Sequence, residues 1–155
     1  MSITIIMALL LGNINTTLPN NNFSTYTNSR YGYTTCYPTN MRPLREADNG
    51  DGRVFRSADG AQISIWGENN YLDESIEQHA YQMRVPGEKI TYQVIKSNWV
   101  VQSGTIGSSI FWRKTYLRDD QFITIKIVYP ITQKVKYNPL TTITSSCFKI
   151  GKPAY

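Results

Sequence analysis

In "QFITIKIVY" (121–129), Ile123, Ile125, Ile127 and Tyr129 alternate with Phe122, Thr124, Lys126 and Val128. A period of two predicts a strand with one buried and one mixed face, as in an antiparallel sheet with helices on one or both sides. "KITYQVIK" (89–96), "NWVVQSG" (98–104) and "SIFWRKTYL" (109–117) read as further strands, separated by turn-forming Ser97-Asn98, the Gly104–Gly107 region and Arg118-Asp119-Asp120. "GRVFRSADGAQISIWG" (52–67) is a hairpin about Asp59-Gly60, and "RYGYTTCYP" (30–38) is a strand stopped by Pro38.

The period changes to a helical one twice. Over 73–85, Ile76, Ala80 and Met83 share a face, Asp73 or Ser75 can cap the start, and Pro86-Gly87 ends it. Over 138–148, Asn138 is placed as the cap and Pro139 as the first helical residue, with Leu140, Ile143, Cys147 and Phe148 on one side. The order β, loop, ββ, α, ββββ, α predicts an α+β domain over 30–150, with a mainly antiparallel sheet of about six to seven strands flanked by two helices.

Residues 1–29 fall outside that pattern. "ITIIMALLLG" (3–12) is a ten-residue apolar run, too short to span a bilayer and shaped like the core of a secretory signal. No Lys or Arg precedes it and no clear cleavage site follows, so an N-terminal element of the fold stands as the other reading. Residues 13–29, rich in Asn, Thr and Ser, read as a flexible leader. Cys36 and Cys147 lie 111 residues apart without the spacing of a zinc site. Exported to the periplasm or secreted, they would form a disulfide worth roughly 4–5 kcal/mol by loop entropy; otherwise they are two buried thiols.

The net charge of +5 is uneven. Residues 46–77 carry eight acids against two arginines, whereas 121–155 carry five lysines and no acid. Lysines that recur singly at strand spacing read as solvated strand faces, not as a nucleic-acid surface.

"RYGYTTCYP", "NGDGRVF" with "DGAQISIWG", "NWVVQSG" and "YNPLTTITSSCF" resemble a group of small exported bacterial proteins of uncharacterised function. That group is similar in fold to the PsbP-like family, the extrinsic photosystem II subunit, and a nuclear protein that binds the GTPase Ran shares the architecture. The resemblance spans about residues 30–148. It implies an antiparallel sheet flanked by helices and a non-enzymatic binding role, and it carries no catalytic residues.

The residues themselves offer little chemistry. "READNGDGRVF" (45–55) has the composition of a calcium loop, but neither register works: Gly52 at the sixth position puts Ala47 first and Ala58 twelfth, and Gly50 there puts Arg45 and Arg56 at those places. The segment is a turn, its glycines chosen for positive φ. His79 is the single histidine, and "VQSGTIG" lacks a nucleophile elbow. No metal, cofactor or nucleotide site is expected, and a hydrolase is the weakest of three functional readings. What remains is surface: Trp66, Glu68, Asn69 and Tyr71, with Glu46, Asp48 and Asp51 of the acidic stretch, are the candidate contacts for a protein partner, and the acids suit a basic one. The leading expectation is an exported non-catalytic binding domain, such as an immunity or inhibitor protein. A periplasmic small-ligand binder is the alternative.

Overall fold

The computed structural model describes residues 23–152; the apolar run 3–12 lies outside the described residues. The main sheet has seven antiparallel strands: β3 (Arg42–Pro43), β4 (Gly52–Arg56), β5 (Gln62–Asn69), β6 (Glu88–Ile95), β7 (Trp99–Ile106), β8 (Ser109–Arg118) and β9 (Gln121–Pro130). Their order is β3-β4-β5-β9-β8-β7-β6. A second sheet, order β1-β2-β10, is made from β1 (Phe23–Asn28), β2 (Tyr33–Pro38) and β10 (Lys149–Ile150). Helix α1 (Ile76–Gln82) lies on one face of the main sheet; α2 (Lys134–Cys147) and the small sheet lie on the other. The α+β class and the antiparallel arrangement are as the pattern predicts, with ten strands in two sheets rather than six or seven in one. No helix among the described residues is long and apolar enough to cross a membrane.

β9 shows why the layers form. Ile123, Ile125, Ile127 and Tyr129 meet Ile63, Ile65 and Phe55 of the neighbouring strands, Tyr26 and Tyr33 of the small sheet, and Tyr137 and Leu140 of α2. The intervening Phe122 faces the other way and packs with Ile76 and Ala80 of α1 and Val100 of β7. One strand therefore serves two cores.

Three expectations need correction. Residues 23–28, assigned to a flexible leader, are strand β1, paired antiparallel with β2 from Phe23↔Pro38 to Asn28↔Tyr33. Its polar residues are used in tertiary bonds: Asn28 donates to the Gly50 carbonyl (2.8 Å) and accepts from the Tyr31 N–H (2.8 Å). Helix α1 is shorter than 73–85, because Ser75 caps it in a capping box with Gln78 and Asp73 takes a left-handed φ of 52°. Helix α2 begins at Lys134, so Pro139 is inside it and not at its first position. The start is set by a tertiary anchor. Tyr137 and Lys136 both donate to the Asp59 carboxylate at the β4–β5 turn. That bond from Lys136, with those from Ser57 and Tyr137, holds the Asp59 carboxyl well below the usual carboxylate range. Asn138, expected as the cap, instead accepts from the Tyr129 hydroxyl (3.2 Å). The bond Pro139 cannot donate belongs to Val135, which is 94% exposed and open to water.

Cys36 of β2 and Cys147 of α2 form a disulfide with Cα atoms 6.0 Å apart. It fastens α2 to the small sheet, where Ile150 of β10 also pairs with Tyr33. Replacing both cysteines by Ala should lower stability by about 2–4 kcal/mol, read from urea unfolding. Identical curves for oxidised and reduced wild-type protein would show that the bond contributes nothing.

Candidate functional site

On the α1 side of the main sheet, register aligns polar residues across five strands. Ser64 pairs with Lys126, Lys126 with Arg113, Arg113 with Gln102 and Gln102 with Gln93. The next row, Trp66, Thr124, Thr115, Val100 and Ile95, passes toward α1. At seven residues, α1 covers only part of this face. A cleft of about 400 Å³ is left between Trp66 of β5, His79 of α1, Met83 and Val85 after α1, and Arg113 and Lys126 on the sheet.

The floor of the cleft is an ion cluster. Position 104 must be glycine, because the Lys89 carbonyl occupies the place a Cβ would take. The start of β6 can thus close over the sheet, at an irregularity between Ile90 and Tyr92, and carry Glu88 above Arg113. Glu88 accepts from Arg113 Nη1 (3.2 Å) and Nη2 (3.3 Å) and from Lys126 Nζ (2.8 Å). Arg113 also donates to Gln102 through Nε (3.0 Å) and to the Met83 carbonyl (3.1 Å). The Glu88 and Arg113 side chains are 1% and 2% exposed, and Lys126 is 19% exposed. Burial pushes the Glu88 carboxyl up, but the bond from Lys126 and the charges of Arg113 and Lys126 outweigh it and hold the group below its ordinary value.

His79 forms the wall toward β5. Its ring stacks on Phe122 with centroids 3.7 Å apart, Nε2 is 3.2 Å from Glu68 Oε1, and Nδ1 is 3.7 Å from Glu74 Oε2. The contact with His79 lowers the Glu68 carboxyl, against the opposing effect of burial. Beyond this pair a second hollow of about 210 Å³ is lined by Asn69, Asn70, Tyr71 and Leu72. Asn70 fixes that loop by bonding both the N–H and the carbonyl of Glu74 (2.8 and 2.9 Å). Tyr71 and Leu72 are left 86% and 78% exposed. His79 sits on the α1 face, whereas Ser103, between Gln102 and Gly104 on β7, points to the opposite face, so the sheet separates them.

The candidate contact residues fall into two groups. Trp66, Glu68, Asn69 and Tyr71 line the two hollows. Glu46, Asp48 and Asp51 lie in the loop before β4, where each carboxylate meets a group of its own chain. Glu46 accepts from Tyr26 and Asn28, Asp48 pairs with Arg45 at 2.7 Å, and Asp51 pairs with Arg30 at 2.8 Å. Burial and then Glu46 push the Tyr26 hydroxyl up to about 12. Gly50 has the positive φ expected of it (71°). Gly52 does not; a Cβ there would strike the Ile65 carbonyl across the hairpin. Glu88, Gln102, Arg113 and Lys126 were not among the expected site residues. Their one local signal is a charged side chain flanked on its own strand face by Phe111 and Thr115.

The solution structure of cyanobacterial PsbP (CyanoP) from Synechocystis sp. PCC 6803 is similar in fold to this chain, with a TM-score of 0.64 and 12% identity over 91% of this chain and 99% of that one. The chain has the PsbP-like fold. A 1.50 Å crystal structure from Bacteroides thetaiotaomicron VPI-5482 is also similar, with a TM-score of 0.51 and 8% identity, covering 84% of this chain and 49% of that one. At these identities the likeness is one of fold. No protein-family model and no curated protein matches the sequence. In this PsbP-like chain, the uncovered part of the α1 face is where charged and aromatic groups converge. Among the described residues, no cluster of three or more His, Cys, Asp or Glu side chains is placed to hold a metal ion.

Glu88→Gln should destabilise the protein by about 3–5 kcal/mol at neutral pH, because buried Arg113 and half-buried Lys126 lose their counter-charge. The Glu88 contribution is complete above the ordinary glutamate value, since the folded-state value is the lower one. It is lost as pH falls through that folded value. Urea unfolding between pH 7 and 3 should therefore give a shallower acid limb for the variant than for the wild type. Parallel limbs would remove Glu88 as a source of acid sensitivity.

Proposed function

We propose that the protein is an exported, non-catalytic binding domain that holds a protein partner across the α1-side cleft. The observation that carries this reading is how the polar groups of the cleft are used. Arg113, Glu88 and Gln102 direct their hydrogen bonds at one another and at the Met83 and Ala80 carbonyls. A catalytic acid or base has to exchange a proton with its substrate; groups so engaged are suited to holding a surface in shape. The available wall is then Trp66, Met83 and Val85, continued at the second hollow by Tyr71 and Leu72. Aromatic and large apolar side chains in such positions are favoured anchors for a partner. The Cys36–Cys147 disulfide supports an oxidising compartment, the periplasm or the outside of the cell. In its most specific form, the reading is an immunity or inhibitor protein that neutralises a toxin or cell-wall enzyme reaching that compartment.

A photo-crosslinking residue at Leu72 in the full chain, activated in the producing cell, should yield one discrete protein adduct. The same residue at exposed Lys134 on α2 should not. Adding Trp66→Ala and Tyr71→Ala should abolish the adduct without changing the melting temperature by more than a few degrees. No adduct, or equal labelling from both positions, counts against the reading. The cleft volume favours a second reading, since about 400 Å³ lies within the range that accepts small ligands. A thermal-shift screen of sugars, lipids and peptidoglycan fragments addresses it: a rise in melting temperature that Trp66→Ala removes supports a small ligand, and a flat response excludes those classes.

A further inference from the structure

The two edges of the main sheet differ. At one edge β3 is only Arg42–Pro43, and proline has no N–H to offer. At the other, β6 runs for eight residues, Glu88–Ile95, and no described segment pairs with its outer side. Its first half is bent by the irregularity between Ile90 and Tyr92, but from Tyr92 to Ile95 the register with β7 is continuous. The Lys96 N–H bonds to the Trp99 carbonyl (2.8 Å). Antiparallel alternation therefore turns the N–H and C=O groups of Gln93 and Ile95 outward. Thr91, Tyr92 and Gln93 are exposed along this edge. A regular, unpaired edge is a template for another strand, and proteins commonly guard such edges with lysine.

Here the guard has one sign. Lys89 and Lys96 bracket the run, and Arg84 reaches the Gln93 side chain (3.4 Å). None of the three has a carboxylate within ion-pair distance among the described residues. The only acid of the strand, Glu88, is buried against Arg113 and Lys126. A second copy of the chain would bring these cations against themselves, whereas an acidic strand would be drawn to them. We propose that β6 is a docking edge that accepts an extended acidic segment of a protein partner as an eighth strand. Its backbone would bond to Gln93 and Ile95, and its carboxylates would lie near Lys89 and Lys96. This surface is separate from the α1-side cleft and does not depend on the reading given to that cleft.

The test uses the full chain and two capped eight-residue peptides, one alternating Glu with Val and the other Lys with Val. The Glu peptide should bind, slow amide exchange at Gln93 and Ile95, and weaken as salt rises. The Lys peptide should bind at least about tenfold more weakly. K89E together with K96E should reverse that preference. Gln93→Pro, which removes an outward N–H and the bond from Gln102 to the Gln93 side chain (2.7 Å) but leaves the backbone β6–β7 bonds in place, should weaken the Glu peptide about tenfold, with its own melting curve recorded to show that it is folded. The proposal is overturned by no binding of the Glu peptide, by equal binding of the two, or by binding that leaves the Gln93 and Ile95 amides unprotected. It is also overturned if those amides become protected by protein concentration alone, which would mark the edge as a self-association site.

Discussion

The structure depends on β9 being covered on both faces. A strand with Ile123, Ile125, Ile127 and Tyr129 on one side cannot leave that side in water, and the small sheet with α2 covers it. The other side begins with Phe122, which requires α1, and then turns polar at Thr124 and Lys126. The composition of that second face decides how much of it a helix can cover. Seven residues of α1 suffice for Phe122, Val100 and their neighbours. The polar remainder stays open as the cleft.

A charge in a strand buried on both faces has to be neutralised within the sheet. Arg113 is accommodated because three residues, Glu88 of β6, Gln102 of β7 and Met83 just after α1, converge on it. Buried ionic clusters of this kind seldom add much net stability over well-packed apolar side chains, while removal of one member is costly. The cluster in this fold fixes the position of the first half of β6, and with it the shape of the cleft floor. Gly104 is the steric condition for that arrangement, since any side chain there would lift β6 away from Arg113.

The main-sheet strands other than β3, both helices and the β4–β5 hairpin were legible in the sequence because each is written locally, as an alternation, a cap residue or a turn dipeptide. What was not legible is specified across the fold. β1 looks like leader because Ser, Thr and Asn dominate it, and only Asn28 bonded to Gly50 and Tyr26 bonded to Glu46 reveal its use. The start of α2 follows from Asp59, some 77 residues away, and not from the Asn138-Pro139 signal beside it. At the candidate site, Trp66, Glu68, Asn69 and Tyr71 were readable as a local aromatic and polar cluster. Glu88, Gln102, Arg113 and Lys126 were not, because they come from four strands and meet only through register and one bulge. The carboxylates of 46–51 read as a free acidic surface, whereas their partners Tyr26, Arg30 and Arg45 precede them in sequence and only two of those come from outside the loop.

The Cys36–Cys147 bond also has a mechanical meaning. Both ends of the described chain run into the small sheet, β1 along β2 and β10 along the start of β2. A pull applied between them would load β1, β10 and the disulfide, while the segment enclosed between Cys36 and Cys147, a separation of 111 residues, carries none of the tension. The main sheet, the cleft and the β6 edge all lie inside that covalent loop. Tethered at one end and pulled at the other, the chain would pass the load through β1, β10 and the disulfide alone, and the strands enclosed between the two cysteines would feel it only once the bond was reduced.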